Sequence, residues 1–98
     1  MYAVVTRRRL NPDHVQETRE RAAREMWPKL PQTPGFVSFT IIQGEDGVNT
    51  SIIVWESKAQ AEAFREEAQK WWGSLDRFGH RVESEGGGEV VQHLTARA

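Results

Sequence analysis

Apolar and polar positions along the chain switch between a two-residue and a three-to-four-residue rhythm. Tyr2-Ala3-Val4-Val5-Thr6 is rich in β-formers, and a first strand is expected over Tyr2–Leu10. Asn11-Pro12-Asp13 stops it and opens a helix: Asn suits the cap, Pro the first helical position, Asp the positive end of the dipole. Val15, Arg19, Ala22, Met26 and Leu30 then recur at helical spacing as one narrow stripe, with Glu17–Arg21 and Glu20–Arg24 as i,i+4 pairs on the wet side. Pro28, Pro31 and Pro34-Gly35 end this helix and stiffen the connection.

Phe36–Gln43 reads as a second strand, Gly44-Glu45-Asp46-Gly47 as a hairpin turn, and Thr50–Glu56 as a third strand. Ser57-Lys58-Ala59-Gln60 has the form of a capping box. The helix it opens carries Ala61, Phe64, Ala68, Trp71 or Trp72, and Leu75 on one side. Gly73 ends or kinks it, and Ser74 caps a short continuation through Phe78. Glu85-Gly86-Gly87-Gly88 is expected as a flexible joint, with Glu89–Thr95 as the last strand. The order β-α-β-β-α-β over residues 1–98 predicts a single α+β, ferredoxin-like domain: an antiparallel sheet with both helices on one face.

Such a sheet should alternate apolar and polar residues. Instead Val4-Val5, Ile41-Ile42, Ile52-Ile53-Val54-Trp55 and Val90-Val91 place apolar side chains on both faces. Two helices cover one face only; a second copy of the same sheet covers the other, so a homodimer is expected. Size and composition agree. A chain of 98 residues has a marginal core, and with no Cys it has neither a disulfide framework nor a thiolate metal site to reinforce it. The formal charge of −1 gives no basic field for nucleic acid. The sequence shows neither a long apolar run nor a secretory leader, so no membrane contact is expected, and the absence of Cys fits a cytoplasmic protein.

Candidate chemistry rests on few residues. His14, His80 and His93 have no metal-ligand spacing, and no metal site is expected. His14 falls in the first turn of a helix, facing solvent. His93 shares a strand face with Val91 and Thr95, where it lines a cavity or fills a structural role. His80 follows Phe78-Gly79, close to a pocket mouth where an imidazole serves as a base. In Arg7-Arg8-Arg9, alternation sends Arg8 to the Tyr2 and Val4 face and its neighbours to the other, so one face carries a cation suited to an anion. Four Trp in a small chain fill a core or wall a pocket for a flat ligand: Trp55 closes a strand, Trp71-Trp72 end a helix, and Tyr2 and Phe64 would join the wall.

The element order, Pro34-Gly35-Phe36 before the second strand, and Val54-Trp55-Glu56-Ser57 opening the second helix resemble the antibiotic biosynthesis monooxygenase (ABM) family of the dimeric α/β barrel superfamily. The resemblance implies homodimers whose sheets meet in a shared barrel. It also implies, in one branch, oxidation of small hydroxy-aromatics or quinols by molecular oxygen without metal, flavin or other cofactor. Arg8 and His80 would then hold or deprotonate the substrate, and Tyr2, Trp55, Phe64, Trp71, Trp72 and His93 would line its pocket. A haem-degrading branch depends on a first-strand Asn, a second-helix Trp and a later His. Those positions fall near Arg8, on Phe64 and near Ser74, which disfavours haem. The alternative expectation is a ligand-binding or stress-related dimeric module without catalysis.

Overall fold

The computed structural model describes residues 1–96. Strand β1 (Tyr2–Arg9) leads into a 3₁₀ turn, Pro12–His14, and then α1 (Val15–Glu25). Asn11 caps that turn: its side-chain oxygen accepts the Asp13 N–H at 3.1 Å, while its amide donates to the Phe78 carbonyl at 2.8 Å. The α1 helix stops at Glu25, earlier than the apolar stripe implied. Pro28 has no N–H to return to Arg24 and its ring would strike that carbonyl, so Trp27–Gln32 tightens into 3₁₀ turns. Met26 and Leu30 are buried all the same. The helix-surface pairing also differs from expectation: Arg21 turns to Glu25 at 3.3 Å instead of Glu17.

Strands β2 (Phe36–Gln43) and β3 (Val48–Trp55) form the hairpin, followed by α2 (Lys58–Gly73) and a 3₁₀ turn, Asp76–Phe78. Ser57 Oγ accepts the Gln60 N–H at 3.3 Å and donates to Gln60 Oε1 at 3.1 Å. Pro34-Gly35-Phe36 lies directly against this start. Gly35 has φ +84°, its carbonyl accepts the Glu56 N–H at 2.8 Å, and a Cβ there would collide with the Gln60 side chain. Only glycine meets both demands. At the far end Ser74 closes α2 instead of opening a continuation, its Oγ donating to the Trp71 carbonyl at 2.6 Å.

The last strand is displaced from its expected place. Strand β4 is Arg81–Glu89, which includes the glycine run read above as a flexible joint, and Val90–Thr95 is not strand. The reason lies in register. Tyr2 pairs with Glu89 and Arg9 with Arg81, so the glycine run lies against Ala3–Val5, and Val90 adds only its N–H to the Met1 carbonyl, at 2.9 Å. Glycine serves packing here: a Cβ on Gly87 would stand 2.5 Å from the Tyr2 hydroxyl and 2.9 Å from the ring. His93 accordingly sits past the strand, exposed and on no strand face.

The sheet order β2-β3-β1-β4, antiparallel throughout, is the ferredoxin-like arrangement. Tyr2, Val4, Thr6 and Arg8 face the helices, over a core of Met26, Leu30, Trp55, Ala61 and Phe64. The opposite face carries Ala3, Val5, Ile52 and Ile42, with Val5 39% and Ile42 50% exposed. No helix of the described residues is long and apolar enough to cross a membrane.

Candidate functional site

Between the sheet and the two helices lies a cavity of about 300 Å³. Its floor follows from strand register, which stacks residues in rows across β1 and β3. Tyr2 lies opposite Trp55 and Val4 opposite Ile53, making an apolar half. Thr6 lies opposite Ser51 and Arg8 opposite Asn49, making a polar half. Across the apolar half the aromatic rings interlock: Trp55 meets Phe64 at 5.2 Å and Phe36 edge-on at 6.0 Å, and Trp27 leans on Phe39 at 6.3 Å. Trp55 is 1% and Phe64 5% exposed, so these two build the wall and the core at once.

Arg8 is the one cation on the cavity floor, and its guanidinium lies 4.0 Å over the Trp72 ring. Burial pushes its pKa down to about 10, partly countered by Glu85. It therefore stays charged at neutral pH while lacking the hydration it would have outside, a state that an incoming anion relieves. Among the described residues Arg8 has no salt-bridge partner, whereas Arg7 pairs with Asp46 and Arg9 with Glu83 on the other face. At the cavity wall Arg65 of α2 reaches Glu85 of β4 at 3.1 Å.

His80 is not part of the lining. Its Nδ1 accepts the Asn11 backbone N–H at 2.9 Å, which fixes the proton on Nε2, and Nε2 then donates to Thr18 Oγ1 at 2.7 Å. Both ring nitrogens are thus engaged. Burial first, and then the positive charges of His14 and Arg8, push its pKa below the usual imidazole value. Its ring instead meets Trp72 edge-on at 6.2 Å, so it stands behind the ring that carries Arg8. The position after Phe78-Gly79, expected at the pocket mouth, places the ring behind Trp72 instead.

Trp71 and Trp72 divide their work by the roughly 100° turn between adjacent helical residues. Both line the cavity and meet edge-on at 4.9 Å, but Trp71 also donates its indole N–H to Glu25 at 3.1 Å, tying α2 to α1. The Glu25 carboxyl is held below its ordinary pKa by hydrogen bonds from Arg21 first and Trp71 second. His14 is half-buried and stacked on Phe78 at 4.4 Å, contrary to its expected place in solvent.

The structure thus gathers Tyr2, Arg8, Trp55, Phe64, Trp71 and Trp72 around one cavity, places His80 behind it and leaves His93 outside. Sequence reading missed Thr6, Asn49 and Ser51 on the floor and Thr18 beneath His80. Strict alternation backwards from Trp55 through Ile53 and Ser51 reaches Asn49, a signal hidden by starting the third strand at Thr50.

A family model described as antibiotic biosynthesis monooxygenase matches residues 1–71. The chain belongs to the antibiotic biosynthesis monooxygenase family. Solved structures share its fold at low identity. SnoaB, a cofactor-independent oxygenase from Streptomyces nogalater, is 19% identical with TM-score 0.71, covering 97% of each chain. MhuD, a heme-degrader from Mycobacterium tuberculosis, is 18% identical with TM-score 0.66, covering 97% of this chain and 100% of its own. A dimeric ferredoxin-like protein from an uncultured marine organism is 15% identical with TM-score 0.69, covering 98% and 100%. No curated protein sequence matches the chain. Among proteins that share this fold, then, one is a cofactor-independent oxygenase and another a heme-degrader.

Proposed function

We propose that this ABM-family protein oxidises a small hydroxy-aromatic or quinol with molecular oxygen, using no resident cofactor. The observation that carries the reading is a half-buried guanidinium, Arg8, without a salt-bridge partner among the described residues and 4.0 Å over the Trp72 ring, in a cavity walled by aromatic rings. An ionised hydroxy-aromatic is electron-rich enough to reduce oxygen directly. For a ring methylene going to a carbonyl the balance closes without added reductant. The carbon loses two hydrogens and four electrons, one oxygen atom enters the product, and the other leaves as water.

The protein's share is to hold the anion and shield it. A charge-assisted hydrogen bond is worth about 1.5–3 kcal/mol. At about 1.4 kcal/mol per pKa unit, Arg8 lowers a bound phenol's pKa by about one to two units. The aromatic half encloses the ring and keeps water from it. His80 contributes by fixing Trp72, with its own nitrogens committed elsewhere. A haem in this cavity would find no imidazole for its iron, since none of His14, His80 and His93 lines it. SnoaB, the cofactor-independent oxygenase, is therefore the better guide.

The assembly belongs to the same reading. The uncovered sheet face, with Val5 and Ile42 exposed beside Ile52, is apolar enough to take a second copy, and a dimeric ferredoxin-like protein shares the fold. An oxygen electrode tests the activity: anthrones or quinols with chelator present should give protein-dependent oxygen uptake, reduced at least tenfold in Arg8→Met. Tight binding with no uptake across such a panel would replace an oxygenase with a ligand-binding module.

A further inference from the structure

We infer that Asn49 and Ser51 of β3, together with Arg8, select ligands carrying two oxygen substituents on the same ring edge. Thr6, Asn49 and Ser51 line the cavity, Thr6 is 7% exposed, and none of their side chains is hydrogen-bonded within the described residues. Arg8 lacks a salt bridge as well. Thr6 is buried and Arg8, Asn49 and Ser51 are half-buried, so four polar side chains on one patch of floor keep donors and acceptors open to the cavity, where a ligand can pair them.

Register sets the shape of that ligand. Arg8 lies opposite Asn49 and Thr6 opposite Ser51, so the four form a rectangle about 5 Å across the strands and about 7 Å along them. Beyond it along each strand the floor turns apolar at Val4 and Ile53. The only carboxylate in these rows, Glu85, is engaged by Arg65 at 3.1 Å, so its repulsion of an anion is offset. Arg8 only donates, whereas Asn, Ser and Thr donate or accept. The patch therefore takes an anionic oxygen at Arg8 and a neighbouring hydroxyl or carbonyl oxygen at Asn49 and Ser51, with the ring body over the aromatic half. A ring with its oxygens on opposite edges carries one of them away from Arg8, Asn49 and Ser51, over the apolar Val4 and Ile53.

The assignment rests on the reading of this cavity as a hydroxy-aromatic site, but not on turnover. Its test is calorimetric titration under argon with two isomers of equal size, 2,3-dihydroxynaphthalene and 2,6-dihydroxynaphthalene. The native protein should bind the 2,3 isomer at least tenfold more tightly. Asn49→Leu and Ser51→Ala should each reduce that ratio below about threefold, while Arg8→Met weakens both isomers. Thermal melts establish folding, and Ser51→Ala, the gentler change, carries the test alone where Asn49→Leu does not fold. Equal binding of the isomers, binding of neither, or a ratio unmoved by both β3 variants overturns the assignment. Oxygen uptake without isomer selection would remove this inference and leave the oxygenase; selection without uptake would do the reverse.

Discussion

Replacing Thr18 by valine tests the interior network on which the Arg8 platform stands. Thr18 is 2% exposed and its hydroxyl lies 2.7 Å from His80 Nε2, while His80 Nδ1 takes the Asn11 N–H at 2.9 Å. Valine keeps the shape and removes the acceptor, leaving the Nε2–H without a protein partner. Removing the acceptor and stranding that donor costs about 1–3 kcal/mol. A buried methyl in place of the hydroxyl returns part of this, at about 0.8 kcal/mol per carbon. A net loss of about 1–2 kcal/mol follows, or about 5–15 °C in melting temperature for a chain of this size. The assay is thermal melting by circular dichroism at fixed protein concentration, because a dimer's midpoint moves with concentration. A double-mutant cycle with His80→Phe isolates the bond: valine should cost little once the imidazole is gone, with a coupling energy of about 1 kcal/mol or more. A Thr18→Val protein as stable as the parent, or a His80 carrying its proton on Nδ1 by nitrogen NMR, would refute the network.

Three further outcomes follow from the same structure. Because burial lowers the His80 pKa from 6.5, the unfolded chain takes up the proton first. Stability should hold above about pH 6.5, fall as pH drops from there towards the lowered folded value, and lose this pH dependence in His80→Phe melts. Gly87→Ala should displace the Tyr2 ring and cost about 1–3 kcal/mol in chemical denaturation; a stabilised protein would mean that β4 does not lie in this register. Ile52→Glu puts a charge on the uncovered sheet face, so light scattering should show a dimer become a monomer, and an unchanged mass would place the subunit contact elsewhere.

Most of the fold can be read in the chain because its signals are local. The cap at Asn11, the turn at Gly44–Gly47 and the Ser57 start depend on residues within a few positions of one another. What escaped depends on partners far along the chain. Gly86-Gly87-Gly88 reads as a joint until the Tyr2 ring is known to lie over Gly87. Val90-Val91 reads as strand until the register is seen to set Glu89 against Tyr2 and the glycines against Ala3–Val5. The site divides in the same way. Alternation puts Arg8 on the Tyr2 and Val4 face, but that this face meets the helices, and that the helix rings of Phe64, Trp71 and Trp72 wall a cavity over it, is visible only in the structure. The His80 role is hidden too, because Asn11 and Thr18, which occupy its two nitrogens, lie 69 and 62 residues away. Asn49 and Ser51 acquire meaning only when register sets them beside Arg8 and Thr6.

The most direct test of the central claim is isotopic. Metal-stripped protein is incubated with an anthrone under oxygen-18 gas, and the product is read by mass spectrometry against Arg8→Met. The expected result is one labelled oxygen at the oxidised ring carbon, a rate unaffected by chelator, and at least a tenfold slower reaction in the variant. Absence of label, loss of activity on metal removal, or full activity without Arg8 would contradict it.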